Sequence, residues 1–144
     1  MEISSFLDDR PVGPGIRITD REKWDKFKSD RLSGGILKKA EDILKEPLPE
    51  TTDDLYLDFT RNGNRTRWQD VNFKRRSRIK TLTLAECLED KGRFTPALEK
   101  TIGEICREKT WVMPAHDRNL ANFEGKIVEI DLASSMLGLD LAAA

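Results

Sequence analysis

Within the few residues from Asp90 to Pro96 the chain closes one helical pattern and opens another, and this restart restricts the fold more than any other feature. Before it, Ile79, Leu82, Leu84, Ala85 and Leu88 supply the apolar positions of a helix running from Lys74 to about Asp90. Gly92 stands just past the last turn, where a residue free to turn left-handed ends helices. After it, Thr95 can cap a new helix with Pro96 at its first position. Ala97, Leu98, Thr101, Ile102, Ile105 and Cys106 then form an i, i+1, i+4, i+5 stripe. Two amphipathic helices joined by so short a turn bury their stripes by folding antiparallel against each other.

The same punctuation recurs along the chain. Pro11 to Gly15 (PVGPG) excludes helix and sheet interior, so residues 1–18 read as an irregular segment and 19–144 as a helical domain. Thr19 or Asp20 can cap a helix that carries Trp24 and Phe27 on one face. Ser33-Gly34-Gly35 marks a break, after which Ile36, Leu37, Ala40, Ile43 and Leu44 recur at helical spacing until Pro47 and Pro49. Leu55 to Phe59 alternates apolar and polar residues, the pattern of a short strand or extended loop, and Asn62-Gly63-Asn64 is a turn. A loop follows from Trp111 to about Lys126, and a last helix starts near Asp131. Its residues leave hardly any polar face, which predicts burial on all sides. Such a terminus reads as continuing into a larger helical assembly, or as a surface for self-association. The expected fold is therefore all-α, with about five helices in antiparallel hairpins.

Composition removes several function classes. The 144 residues suit one domain, and a net charge of −1 provides no global field to recruit nucleic acid or anionic membrane. Cys87 and Cys106 are too few for a disulfide scaffold. Their positions in the hairpin offset them by roughly 8 Å along the axis, beyond the about 7 Å that a bridge spans, so both read as core cysteines. One histidine, His116, excludes a multi-histidine metal centre, and there is no GxGxxG, GxxxxGK[ST] or GxSxG for a cofactor, phosphate or nucleophile. Neither a signal peptide nor a run approaching the ~20 apolar residues of a membrane span is visible. The sequence as it stands reads as soluble and cytoplasmic, or as periplasmic or secreted if it comes from a longer exported protein.

Two stretches carry candidate chemistry. From Arg61 to Lys80, eight basic residues face the single acid Asp70, a formal +7, with Trp68 and Phe73 interleaved. Guanidinium forks match carboxylate, sulfate and phosphate, and aromatic rings can stack on a sugar or base. The stretch thus suits an acidic polysaccharide or a nucleic acid, or else is a solvated helix face, since Arg75, Arg76 and Arg78 fall where a helix start is expected to be wet. Asn64 and Arg65 are the better candidates, because a turn directs them outward. The second stretch is the loop Trp111-Val-Met-Pro-Ala-His116-Asp117 with Asn119 and Asn122. A histidine exchanges protons near neutrality and a carboxylate can orient it, although adjacency in sequence does not make His116 and Asp117 a dyad. The bland reading of His116 is a loop residue bonding to backbone.

Three runs together resemble the start of heparinase II/III-like proteins, a polysaccharide lyase family. They are EPLPETTDDLYLDFTRNGNRTRWQ (Glu46 to Gln69), RRSRIKTLTLAECLEDKGRF (Arg75 to Phe94) and ICREKTWVMPAHDRNLANFEGKIVEIDLASS (Ile105 to Ser135). The similarity spans roughly residues 16 to 144 and is strongest at GNR, AECLE-x-KGRF and TW-x-x-PAHD. It implies an incomplete α/α toroid of stacked hairpins followed by antiparallel β-sheet domains. It also implies cleavage of uronic-acid-containing polysaccharide by β-elimination: the uronate carboxylate is neutralised, a base takes the C5 proton and an acid assists the leaving oxygen. Most of the family's catalytic residues lie later than this chain extends, so the resemblance assigns no catalytic role here. It implies that Asn64, Arg65, Trp111, His116 and Asp117 line or shape a sugar cleft, with the remaining toroid and β-sheet domains as partners. No metal and no cofactor are implied.

Overall fold

The computed structural model describes residues 15–144, so most of the Pro11–Gly15 expectation lies outside the described residues. Every regular element among them is helical: α1 (Arg21–Lys28), α2 (Arg31–Lys45), α3 (Asp53–Asn62), α4 (Thr66–Glu89), α5 (Thr95–Cys106) and α6 (Leu132–Ala143), with a 3-10 turn at Pro114–His116. The all-α expectation therefore holds. No helix among the described residues is long and apolar enough to cross a membrane.

α4 is the axis of the molecule. It lies antiparallel to α5: Arg75 in its first half pairs with Glu108 beyond the end of α5, and Glu86 near its end bonds Phe94 at the α5 start. Ala40 of α2, Ile79, Leu82 and Ala85 of α4, Phe94, Leu98 and Ile105 around α5, and Leu137 of α6 form the main core. A smaller core joins Tyr56, Trp68 and Met113 beneath the loop that precedes α6. Both cysteines are free thiols, and Cys106 is exposed rather than in the core.

The α4–α5 turn is organised by a single carboxylate. Glu86, almost wholly buried, accepts hydrogen bonds from the backbone N–H groups of Lys91, Gly92 and Phe94. These include donors that open a new helix and have no partner within it. Thr95 therefore does not cap α5; Phe94 occupies that position without a side-chain bond, and Pro96 sits in the first turn. Asp90 closes α4 in the left-handed region at φ 55°, ahead of Gly92 at φ 72°.

Three other expectations change. α2 begins at Asp30, whose side chain accepts from the Leu32 N–H, and runs straight through Gly34 and Gly35. Leu55–Phe59 is the middle of α3, capped by Thr52 and led by Asp53 and Asp54. The acids at its N-terminus favour the helix dipole, while a five-residue alternation is too short to impose a strand. α6 is not buried all round: Ser134 and Leu137 face inward, while Leu132, Met136 and Leu139 are 75%, 53% and 59% exposed.

The arginines expected to be wet are internal. Arg78 donates to the carbonyls of Ile43, Glu46 and Pro47, closing the C-terminus of α2. Arg76 donates to the carbonyls of Ala133 and Trp111, and Arg75 to that of Pro49 while pairing with Glu108. A planar fork can hold carbonyls from two chain segments at once, which an ammonium does less well. These three side chains fasten α2, the pre-α6 loop and α6 to α4.

Candidate functional site

The loop from Trp111 to Asp131 is long and mostly irregular, so its polar backbone needs partners from side chains. Asp117 supplies many of them. It is 1% exposed. One oxygen accepts from the backbone and side-chain N–H of Asn122, at 3.0 and 3.1 Å. The other accepts from the Phe123 N–H at 2.9 Å and lies 3.1 Å from the Tyr56 hydroxyl. Burial alone would raise the Asp117 carboxyl, but these donors hold it below the usual carboxylate range. Tyr56, 3.1 Å from the Val112 carbonyl as well, stacks on Phe123 at 4.9 Å and meets Trp68 edge-on at 5.6 Å. Burial, with Asp117 beside it, pushes the phenol far above its ordinary value, so it stays protonated. Asn122 extends the network by exchanging hydrogen bonds with Glu129.

His116, the next residue in sequence, faces the other way. Its side chain is 57% exposed and its Nδ1 lies 2.8 Å from an Asp131 oxygen. That oxygen also accepts from the Met113 N–H, and the second accepts from the N–H and hydroxyl of Ser134 in a capping box that starts α6. Burial would raise the Asp131 carboxyl, but the Ser134, Met113 and His116 bonds hold it well below the usual range. A carboxylate only accepts, so the proton of a neutral His116 ring sits on Nδ1. Nε2 then has no partner among the described residues and presents its lone pair to a ligand. The imidazole borders an open, largely apolar groove of about 480 Å³ between α4 and α6, flanked by Phe73, Arg76, Lys80 and Met136.

The structure brings together only part of the expected set. Trp111, His116 and Asp117 share the loop but not a surface. Trp111 is half-buried, its indole N–H donating 3.0 Å to the Ile105 carbonyl, and it lines a separate concavity of about 580 Å³ with Cys106, Asn122 and Ser134. Asp117 is a buried hub. Asn64 accepts from the Thr66 N–H and hydroxyl and from the Arg67 N–H, capping α4. Arg65 is exposed on the same turn, and no hydrogen bond or ion pair among the described residues joins that turn to the loop. Asp131, the partner of His116, was legible as a helix cap through the Asp131-x-x-Ser134 spacing. Its bond to the imidazole was not.

The basic stretch is also largely engaged. Besides the three internal arginines, Arg61 pairs with Asp54, Arg67 with Asp58 and Lys80 with Asp140. Arg65 and Lys74 are left with no acidic partner among the described residues. No group of three or more His, Cys, Asp or Glu among them is placed to hold a metal ion. No protein-family model and no curated protein matches the chain.

Proposed function

We propose that the chain forms part of the substrate cleft of a heparinase II/III-like polysaccharide lyase, binding a uronic-acid-containing polysaccharide that the whole protein cleaves by β-elimination. The observation that carries this reading is His116: exposed, oriented by Asp131 and bordering a groove beside the exposed ring of Phe73, while the groove's Arg76 and Lys80 are held by carbonyls and by Asp140. A sugar ring offers apolar C–H faces and hydroxyl groups, which such a wall can meet with an aromatic ring face and the Nε2 acceptor of the imidazole. The frame supports the same reading. In each of the three motifs behind the resemblance, a polar residue holds backbone in place: Asn64 in GNR, Glu86 in AECLE-x-KGRF and Asp117 in TW-x-x-PAHD. Residues of that kind speak for a shared scaffold, and no catalytic role is assigned to them. The remaining toroid helices and β-sheet domains would complete the cleft. A stand-alone module binding nucleic acid or an acidic partner would rest on the Arg61–Lys80 stretch, most of whose cations are already engaged.

The test is retention on immobilised heparin, heparan sulfate, alginate and hyaluronan beside single-stranded DNA, each eluted with salt. Preference for one polysaccharide over DNA at matched salt, reduced several-fold in His116→Ala or Arg65→Ala, is the expected result. Equal retention on every matrix, or a preference that neither substitution changes, overturns the assignment.

A further inference from the structure

The His116 ring is fixed at one nitrogen and open at the other. Nδ1 lies 2.8 Å from an oxygen of Asp131, the side chain that caps α6. The Asp131 carboxyl is held well below the usual carboxylate range by its bonds to Ser134, Met113 and His116, so it stays charged and only accepts. Nδ1 therefore carries its proton whether the ring is neutral or charged. Protonation needs no flip of the ring and breaks no bond to Asp131; it changes Nε2 alone. In the neutral ring Nε2 offers a lone pair, which suits a hydroxyl donor. In the charged ring it carries an N–H, which can give a charge-assisted bond to a carboxylate. The switch is confined to one outward-facing atom.

The other charges on the elements around the ring are fixed. On α4, Arg76 is held by the Ala133 and Trp111 carbonyls and Lys80 by Asp140 of α6. α3 packs against the 3-10 turn that ends in His116. There Asp53 pairs with Lys109, Asp54 with Arg61 and Asp58 with Arg67, and burial beside Asp117 keeps the Tyr56 phenol protonated. On the loop itself Asp117 is buried among its donors, and Arg118 is exposed and charged at every pH. Histidine is the side chain that changes charge between about pH 5 and about pH 8, and this chain has one. We infer that His116 makes the groove's choice of sugar depend on pH. The charged ring takes the carboxylate of a uronic-acid residue at Nε2, and the neutral ring takes only a hydroxyl. The inference rests on the groove being part of a sugar cleft. Its ligand is an acidic oligosaccharide, gripped at low pH and released as the ring loses its proton.

The probes are an alginate oligosaccharide and the same oligosaccharide with its carboxyl groups reduced to alcohols. The single imidazole gives one Cε1–H signal in a proton NMR spectrum, so a pH series follows both its titration and its response to sugar. The acidic sugar should bind roughly tenfold more tightly at about pH 5 than at about pH 8. By reciprocity it should also make the imidazole hold its proton to higher pH. The reduced sugar should do neither. His116→Gln, at an exposed position, should leave the far-ultraviolet circular dichroism unchanged. It should bind the acidic sugar at both pH values as weakly as the native protein does at about pH 8. Equal binding of the acidic sugar at both pH values overturns the inference and leaves the cleft reading standing. So does a pH dependence shared by the reduced sugar or kept in His116→Gln. If neither sugar moves the imidazole signal at any pH, the cleft reading falls and the inference with it.

Discussion

Asp117 gathers three N–H donors and faces a phenol while losing almost all contact with water. An uncompensated carboxylate in that position would be untenable, and the shape of the loop follows from the donors brought to it. Asp117→Asn replaces one accepting oxygen by an amide whose hydrogens meet other hydrogens. It is expected to cost about 2–4 kcal/mol of unfolding free energy, read by urea denaturation at neutral pH. The acid limb gives a second readout. The folded carboxyl lies below its ordinary 3.8, so its contribution is complete above the unfolded value and is lost as pH falls through the folded one. Asp117→Asn should therefore lose less stability than the wild type below about pH 4. Some acid dependence should survive, because Asp131 is shifted in the same direction. Residue types were a fair guide to where polar chemistry concentrates, but not to who faces whom. His116 and Asp117 are neighbours that point apart, and the imidazole's partner lies fifteen positions on.

Among the elements, α5 was readable because a proline start and a continuous stripe agree, and α6 because its aspartate cap stands directly before an apolar run. The middle of α3 was read as a short strand or extended loop because Tyr56 and Asp58 both face inward, giving a buried polar residue a place in the alternation. The Asp58 carboxylate is satisfied there by Arg67 at 2.6 Å. α2 was interrupted too early for a different reason. Glycine lowers helix propensity, yet it does not forbid a helix whose Ile36, Ala40 and Ile43 pack on the core. A methyl group added at Gly34 or Gly35 would meet nothing within 4 Å, and neither glycine has a positive φ. Gly34→Ala and Gly35→Ala are each expected to stabilise the protein by about 0.5–1 kcal/mol, seen as a raised thermal midpoint. A loss of stability in either would mean that the first turn of α2 needs the freedom of glycine.

At the scale of the whole molecule, a formal +7 over twenty positions is not a surface charge. Arg75, Arg76 and Arg78 are under 9% exposed and fasten three segments to α4. Arg61, Arg67 and Lys80 are in ion pairs. Sequence supplied the charges but not the carbonyls, because the ends of α2 and of the pre-α6 loop reach α4 only once the chain has folded. Counter-ion release turns this into a number. Binding to single-stranded DNA changes with salt by about −0.7 in logarithmic slope for each phosphate neutralised. From this stretch, its two unpaired cations, Arg65 and Lys74, contribute roughly −1 to −2, whereas all eight would contribute roughly −6. Fluorescence anisotropy with a labelled oligonucleotide across a salt series should return the shallow value. A slope near the steep one would require the buried arginines to leave their carbonyls, and α2 and α6 to come away from α4 with them. The same titration repeated with Arg65→Ala and Lys74→Ala together should remove the share of the slope that the stretch supplies, since no other cation of the stretch is both exposed and uncommitted among the described residues, and leave only what exposed cations elsewhere, such as Lys38, Lys39 and Arg118, contribute.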